Sequence, residues 1–150
     1  MSAVVTAGSG FLLAVLWFDL MFDVQALRVG GDEEVPEPVL VSIAAYYRRV
    51  TTTAQPMSRL IVVAMIVTLA GIVVEIARGE VATWLGWVSL VLAAAPILLA
   101  SLRTVPSAAR LGSRADDVAR QSALARAIGR QHLFCFSSIA VLLILQLAIA

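Results

Sequence analysis

Two aspartates, Asp19 and Asp23, lie inside the first long apolar segment of the chain, in the stretch LWFDLMFD. Their spacing of four residues places both carboxylates on one face of an α-helix. A carboxylate at the centre of a bilayer costs at least about 2.5 kcal/mol, and in membrane proteins such groups relay protons, bind cations or pair with arginine. Two neighbouring carboxylates also repel each other, which favours proton uptake by one of them. The pair predicts either a proton or cation site or a structural ion pair.

The depth of the two aspartates decides between these interpretations. If the hydrocarbon region begins near Ala3, Asp19 lies close to its far boundary and Asp23 lies among the lipid headgroups. Arginines of the connections could then pair with both carboxylates, and we favour this structural interpretation because intramembrane charges usually pair. The candidate partners are Arg28, Arg48, Arg49 and Arg103.

Glu75 is a third acidic residue in an apolar segment, and Arg78 follows it by three residues. This spacing suits an ion pair on a helix surface, which is the interpretation we favour. The alternative is a path for protons or cations in which Asp19 lies deep and Glu75 lies at the mouth. The two residues are expected at different depths, so one ion cannot contact both.

His132 and Cys135 are the candidate ligands for a metal or haem, because a spacing of three residues can place both on one helix face. Two ligands are too few for a closed metal site. The chain has one histidine, so a haem with two histidine ligands would require a dimer. We therefore predict no cofactor. The single cysteine also excludes a disulfide within the chain.

The composition indicates that these residues are positioned by membrane-spanning helices. Of the 150 residues, 61% are apolar and 14% are charged, whereas soluble domains average about 45–50% and about 25%. Apolar segments near 4–27, 59–77, 82–102 and 133–150 each approach the roughly 20 residues that a bilayer requires. The sequence predicts an all-α, single-domain integral membrane bundle of four transmembrane helices over residues 1–150. The first helix is expected to be retained, because no basic residue precedes it as in a signal peptide.

The connections predict two further helices. Residues 30–38 are acidic and interrupted by glycine and proline, and residues 39–50 have apolar residues at helical spacing beside Arg48 and Arg49. This pattern predicts a short interfacial helix in the first connection. Before the fourth span, Ser113 and Asp116 resemble a capping box, which predicts the start of a helical extension. Asp116 and Arg120 are spaced to pair on its surface.

The arginines predict the orientation. All eleven basic residues are arginines, and only Arg78 lies in the connection between the second and third spans. Because positive residues are retained in the cytoplasm, the first and third connections are predicted to be cytoplasmic and both termini outside the cell membrane. The third connection and its extension carry the arginines that could bind anionic lipid headgroups, which are Arg110, Arg114, Arg120, Arg126 and Arg130.

These features predict a small integral membrane protein that acts through protein or lipid contacts, as an accessory subunit, scaffold or homo-oligomer. No catalytic or nucleic-acid-binding motif occurs in the sequence. The expected partners are membrane lipids and other membrane subunits or further copies of the chain. One alternative is a small oligomeric transporter or channel coupled to protons or cations through Asp19, Asp23 and Glu75. Another is a membrane enzyme acting on a lipid or quinone.

Overall fold

In the part of the chain that the structure describes, four helices are long and apolar enough to cross a membrane, as the sequence predicts. The computed structural model describes residues 2–30, 33–53 and 55–149, which are helical except for short connections and contain no β-strand. The candidate spans are Ala3–Leu27, Pro56–Arg78, Thr83–Ser113 and Val118–Ala148. The α-helices are α1 (Ser2–Leu27), α2 (Glu37–Arg48), α3 (Gln55–Arg78), α4 (Thr83–Leu99), α5 (Val105–Ser113) and α6 (Val118–Ile149).

The described residues include two short π-helical segments. Arg49–Thr53 follows α2, and Ala100–Thr104 joins α4 to α5. The third candidate span therefore reaches Ser113 rather than ending near residue 102. A helix of about 30 residues is about 45 Å long at 1.5 Å per residue, which exceeds a hydrocarbon core of about 30 Å. Part of the third and fourth candidate spans must project beyond such a core.

α1 and α6 pack side by side in opposite directions. Near one end of the pair, Leu27 lies against Gly129. Nearer the middle, the rings of Trp17 and Phe136 have centroids 6.1 Å apart. The contacts along this pair fix the register between the helix that carries both aspartates and the helix that carries the histidine.

α2 and α5 cover one end of this pair, which we call the capped end. The apolar face of α2 consists of Leu40, Ile43, Ala44 and Tyr47, and all four are buried against the protein. α5 approaches α2 so closely that a Cβ on Gly112 would lie 2.9 Å from the backbone nitrogen of Arg48. Only glycine permits this helix contact without displacing one of the two backbones.

Polar contacts fasten the first connection to the start of α6. The backbone N–H of Val35 donates to Ser122 Oγ at 2.9 Å, and Arg126 donates to the carbonyl of Glu33 at 2.8 Å. Arg114 pairs with Glu37 at the start of α2 and also donates to Gln121. These contacts hold α2 in place over the capped end.

The predicted helix start at Ser113 is wrong. α5 ends at Ser113, and the chain reverses at Arg114, whose φ of 55° is left-handed. α6 begins at Val118, where Asp117 Oδ1 accepts the backbone N–H of Arg120 at 2.7 Å, an N-cap contact. The spacing of Ser113 and Asp116 resembles a capping box but does not mark a helix start, because Asp116 lies in the turn between α5 and α6.

Asp116 also makes an ion pair different from the predicted one. Its two carboxylate oxygens accept from Arg110 at 2.8 and 2.7 Å. This two-point contact lowers the pKa of Asp116 below its usual value, with the hydrogen bonds from Arg110 as the main cause. Asp116 therefore stays charged and links the end of α5 to the turn before α6.

Candidate functional site

Asp23 and His132 form a buried ion-pair contact between α1 and α6. The distance from Asp23 Oδ2 to His132 Nδ1 is 2.6 Å, although 109 residues separate the two in sequence. Asp19 lies one helical turn from Asp23, and its Oδ2 is 3.8 Å from the other ring nitrogen, Nε2. The histidine ring therefore lies between the two carboxylates.

Two tyrosines of α2 complete this cluster of Asp19, Asp23, His132, Tyr46 and Tyr47, which we call the aspartate–histidine cluster. Tyr46 Oη donates to Asp19 Oδ1 at 2.7 Å, and Tyr47 Oη donates to Asp23 Oδ1 at 2.5 Å. Burial is the main cause that raises the pKa of both tyrosines above the ordinary value, and the neighbouring carboxylates raise it further. Both phenols therefore stay protonated and act as donors.

Aromatic packing fixes the direction of the Tyr46 side chain. The Phe22 and Tyr46 rings stack with centroids 4.1 Å apart and planes 10° apart. Since Phe22 lies on α1 between the two aspartates, this stack aligns α2 with α1. The packing lets adjacent tyrosines reach two carboxylates that are one helical turn apart.

The two aspartates and the histidine of the cluster are almost fully removed from the surface. The exposed fractions are 9% for Asp19, 0% for Asp23 and 7% for His132. Leaving two carboxylates ionised beside a neutral imidazole in such a place would be costly, because buried charge must be compensated. The histidine and the two phenols supply that compensation as a cation, as hydrogen-bond donors, or as both.

The predicted arginine partners lie elsewhere. Within residues 2–30, 33–53 and 55–149, the hydrogen bonds and ion pairs of Asp19 and Asp23 are made with tyrosine and histidine and none with arginine. The side chains predicted to pair with them are all exposed, namely Arg28, Arg48, Arg49 and Arg103. Histidine therefore takes the place of arginine as the partner of the two carboxylates.

An apolar cavity of about 130 Å³ adjoins the cluster. Asp19, Tyr47 and His132 lie in its wall, together with Cys135. Most of the remaining wall is aliphatic, with side chains that include Leu12, Leu16, Ile61, Met65, Ile97 and Ile139. The site therefore combines an apolar space with a few hydrogen-bonding groups on one side.

Both π-helical segments border this cavity. Val50 and Thr51 come from the first segment, and Ala100 and Thr104 come from the second. Thr104 also donates to Gln131 on α6 at 2.9 Å, next to His132. π-Helical turns within α-helices occur frequently at functional sites, which supports a functional interpretation of the cavity.

His132 and Cys135 do not form a metal centre together with other ligands in the described part of the chain. No group of three or more His, Cys, Asp and Glu side chains there is arranged to hold a metal ion. His132 Nδ1 contacts Asp23, and the thiol of Cys135 donates to the carbonyl of Pro96 at 3.7 Å. Burial and this contact make Cys135 a packing residue in the cavity wall.

Glu75 lies far from the aspartate–histidine cluster, at the opposite end of the bundle. It is 2% exposed. Arg78 is exposed and pairs with Glu80 at 3.6 Å, rather than with Glu75 as predicted. Glu75 thus lies in an apolar segment as predicted, but the predicted ion pair between Glu75 and Arg78 is wrong.

Three of the arginines predicted to bind lipid headgroups have partners within the protein. Arg110 pairs with Asp116, Arg114 with Glu37, and Arg126 with the carbonyl of Glu33. Arg120 and Arg130 are exposed. The intramolecular contacts give the first three a structural role at the capped end.

The two tyrosines are site residues that the sequence alone does not indicate. In the sequence, Tyr47 is one of the apolar residues at helical spacing in residues 39–50, and Tyr46 lies beside it. The available signal was a pair of aromatic hydroxyls on a short helix next to a span that carries two carboxylates. The spacing could not show that this helix folds back onto the bundle.

Comparison of the chain with protein-family models, with curated proteins and with solved structures finds no match. A function for this chain is therefore inferred from the geometry of the aspartate–histidine cluster and the cavity beside it.

Proposed function

We propose that this protein is a membrane protein that binds a small lipid-soluble molecule in the cavity beside the aspartate–histidine cluster. The observation that carries the proposal is the position of Asp19, Tyr47 and His132 along one side of an otherwise apolar cavity. Sites for small molecules are usually apolar spaces with a few polar groups that fix the orientation of the ligand. The sequence predicts contacts with lipid, and we propose that one such contact is a bound molecule with a hydroxyl or carbonyl group.

The geometry supports a definite binding role for His132. Asp23 accepts at 2.6 Å from Nδ1, so in the neutral ring the proton lies on this nitrogen. Nε2 is 3.8 Å from Asp19, too far for a direct hydrogen bond, and is left to accept one from a ligand. A ligand hydroxyl would donate to Nε2, and a ligand carbonyl would accept from a protonated Asp19 or from the imidazolium.

Membrane embedding is supported by the outer surfaces of the helices. α3 exposes Val62, Val63, Ile66, Val67 and Val73 by 41–60% each. A helix with apolar residues all round is buried in a large protein or in a membrane, and these side chains face away from the rest of the chain. We propose that they face lipid.

We expect a molecule to remain bound when the protein is purified in mild detergent, and a substitution that fills the cavity to release it. Ala100 lines the cavity, whereas Ala95 is exposed on the neighbouring turn of the same span. Organic extracts of wild type, Ala100→Phe and Ala95→Phe would be compared by mass spectrometry. The expected result is about one bound molecule per chain in wild type and Ala95→Phe, and at least tenfold less in Ala100→Phe.

Two outcomes would contradict ligand binding. One is a wild-type extract with the same composition as protein-free micelles from the same membranes. The other is equal retention in Ala100→Phe and Ala95→Phe. A His132→Gln variant separates the contribution of the histidine from that of the apolar walls. It should weaken retention of the bound molecule while leaving those walls intact.

The predicted topology also belongs to this proposal. We propose that the capped end faces the cytoplasm of a cell membrane, that α2 lies in the membrane interface, and that both termini are outside. The support is the distribution of arginine, which is concentrated in the connections of the capped end and reduced to Arg78 at the opposite end. Trp84 and Trp87 are exposed near the start of α4, where an aromatic belt would lie.

Single cysteines would test this topology, because Cys135 is the only native cysteine and is buried. In a Cys135→Ala background, Ala82→Cys and Ala115→Cys each place a thiol at an exposed position, on opposite ends of the bundle. A maleimide that cannot cross membranes should label Ala82→Cys in intact cells, and should label Ala115→Cys only after lysis. The reverse pattern would overturn the proposed orientation.

The accessory-subunit, scaffold, homo-oligomer and transporter versions of the function stay predictions. The buried aspartate–histidine cluster suits proton exchange as well as ligand binding. Proton flux into proteoliposomes, compared between wild type and Asp19→Asn, distinguishes transport from binding alone.

A further inference from the structure

The cavity beside the aspartate–histidine cluster is not closed on all sides. Val105, the first residue of α5, lines the cavity and is 53% exposed, so the cavity reaches the outer surface there. On the facing side, Val50, Thr51, Ile61 and Met65 line the cavity and are each partly exposed. We call the space between Val105 and these four residues the lateral opening.

The packing of the helices defines the edges of the lateral opening. α3 contacts α4 where Ile76 lies against Gly86, but no described Cα of α3 comes within 8 Å of a Cα in the segment Ala100–Thr104 that follows α4. At the capped end, α5 contacts the first π-helical segment, Arg49–Thr53. The lateral opening therefore lies on the flank of the bundle, between α3 and the second π-helical segment, and is closed toward the capped end.

The surface around the lateral opening is apolar. Leu60 on one side and Leu98 and Leu102 on the other are exposed by 49, 58 and 74%. From His132 to Ile149, α6 is about 26 Å long, whereas a hydrocarbon core is about 30 Å thick. In the proposed membrane arrangement, the level of His132 therefore lies inside the hydrocarbon near the boundary at the capped end, and the lateral opening faces lipid rather than water.

The size of the cavity limits what it can hold. Its volume of about 130 Å³ is close to the roughly 150 Å³ of a cavity that binds one benzene ring, whereas pockets for whole ligands have about 300–1,000 Å³. A larger lipid-soluble molecule can therefore place only a ring-sized part beside His132. The rest of the molecule must leave through the lateral opening.

The wall of the cavity also restricts the charge of that ring-sized part. Asp19 lies in the wall, and the described wall contains no arginine. A phosphate or carboxylate group would find His132 as its cationic partner, but this ring already lies between Asp19 and Asp23. A neutral ring that carries a hydroxyl or carbonyl group suits the hydrogen-bonding atoms that face the cavity.

We propose that the ligand is a ring compound of the phenol or quinone class with a long hydrocarbon tail. The ring lies in the cavity, where its oxygen contacts His132 Nε2 or the Asp19 carboxyl group. The tail passes between α3 and the second π-helical segment into the surrounding lipid. This inference rests on the proposed function, because it names the class of molecule that is bound beside the aspartate–histidine cluster.

Two phenols that share a ring but differ in tail length would test the inference. The NMR signals of the His132 ring report the binding of para-ethylphenol and para-dodecylphenol to the wild-type protein in detergent, at equal mole fractions of each phenol in the micelles. Both phenols should shift these signals, and their apparent Kd values on the mole-fraction scale should agree within about threefold, because the long tail stays in an apolar environment outside the cavity. A cavity without a lateral opening would exclude para-dodecylphenol.

A bulky side chain in the lateral opening should act on the tail. Ile61→Trp should raise the apparent Kd of para-dodecylphenol by about tenfold or more, and that of para-ethylphenol by less than about threefold. Leu60→Trp, at the neighbouring exposed position, is the matched control and should change neither value. Ile97→Trp, with Leu98→Trp as its control, repeats the comparison from α4 if Ile61→Trp does not fold.

The outcomes distinguish failure of this inference from failure of the proposed function. Binding of para-ethylphenol without para-dodecylphenol would overturn the passage of a tail through the lateral opening, as would equal losses of both phenols, or no loss of either, in Ile61→Trp and Ile97→Trp. Failure of both phenols to bind, while another molecule is extracted with the wild-type protein, would overturn the ring class. The absence of any bound molecule would contradict the proposed function itself.

Discussion

Replacing Asp23 with leucine is expected to lower the free energy of unfolding by about 3–5 kcal/mol, the cost of removing one partner of a buried pair. Asp23 is fully buried and accepts from Tyr47 as well as meeting His132. Its loss leaves the Tyr47 hydroxyl and the His132 ring without their hydrogen-bond acceptor. Denaturant unfolding of the purified protein in detergent would measure the change.

A double-mutant cycle would show whether this cost belongs to the pair. His132→Leu should be destabilising alone, and the double variant with Asp23→Leu should be less destabilised than the sum of the two, because contacting residues are coupled by about 0.5–3 kcal/mol. Glu34→Leu, at an exposed position, is the control and should change stability little. Strict additivity of the two single variants would show that the Asp23–His132 contact does not stabilise the fold.

Replacing Gly112 with alanine is expected to separate α2 from α5 and to disturb the aspartate–histidine cluster at a distance. The new Cβ would lie 2.9 Å from the backbone nitrogen of Arg48 and 3.1 Å from its Cα. Because both atoms belong to backbone, one helix must move, and overpacking of this kind costs about 1–3 kcal/mol. Tyr47 lies next to Arg48, so the movement should weaken its 2.5 Å contact with Asp23.

Gly10→Ala is the matched control for this prediction. A Cβ at Gly10 meets nothing within 4 Å, so the substitution should leave stability unchanged or raise it by up to about 1 kcal/mol. Because the chain contains one histidine, the NMR signals of the His132 ring report on the cluster and do not overlap with those of another histidine. Gly112→Ala should shift these signals and Gly10→Ala should not. Unchanged signals in Gly112→Ala would show that α2 does not position the tyrosines.

Much of the architecture follows from the sequence because it depends on local composition. The apolar segments are long enough to be recognised one by one, and the spacing of Asp19 and Asp23 already indicates a shared helix face. The partners of the aspartates were not predictable in the same way. Arginine is the usual partner of an intramembrane carboxylate, and only the register of α6 against α1 brings His132 between the two aspartates.

The errors at Ser113 and Arg78 have a common cause. Each prediction relied on a local spacing at a residue where a helix ends, α5 at Ser113 and α3 at Arg78. Asp117 rather than Ser113 caps α6 because the left-handed turn at Arg114 moves the helix start onward. Arg78 turns to Glu80 because Glu75 faces inward. Side-chain direction depends on packing between helices. The spacing of residues along one segment carries no information about that packing.

The 109 residues between Asp23 and His132 have a consequence for biosynthesis. In the proposed membrane arrangement, α1 leaves the ribosome before α6. At a synthesis rate of about 5–20 residues per second, α1 waits roughly 5–20 s for its histidine. During that interval the two acidic side chains of α1 must be hydrated, protonated or shielded by the insertion machinery.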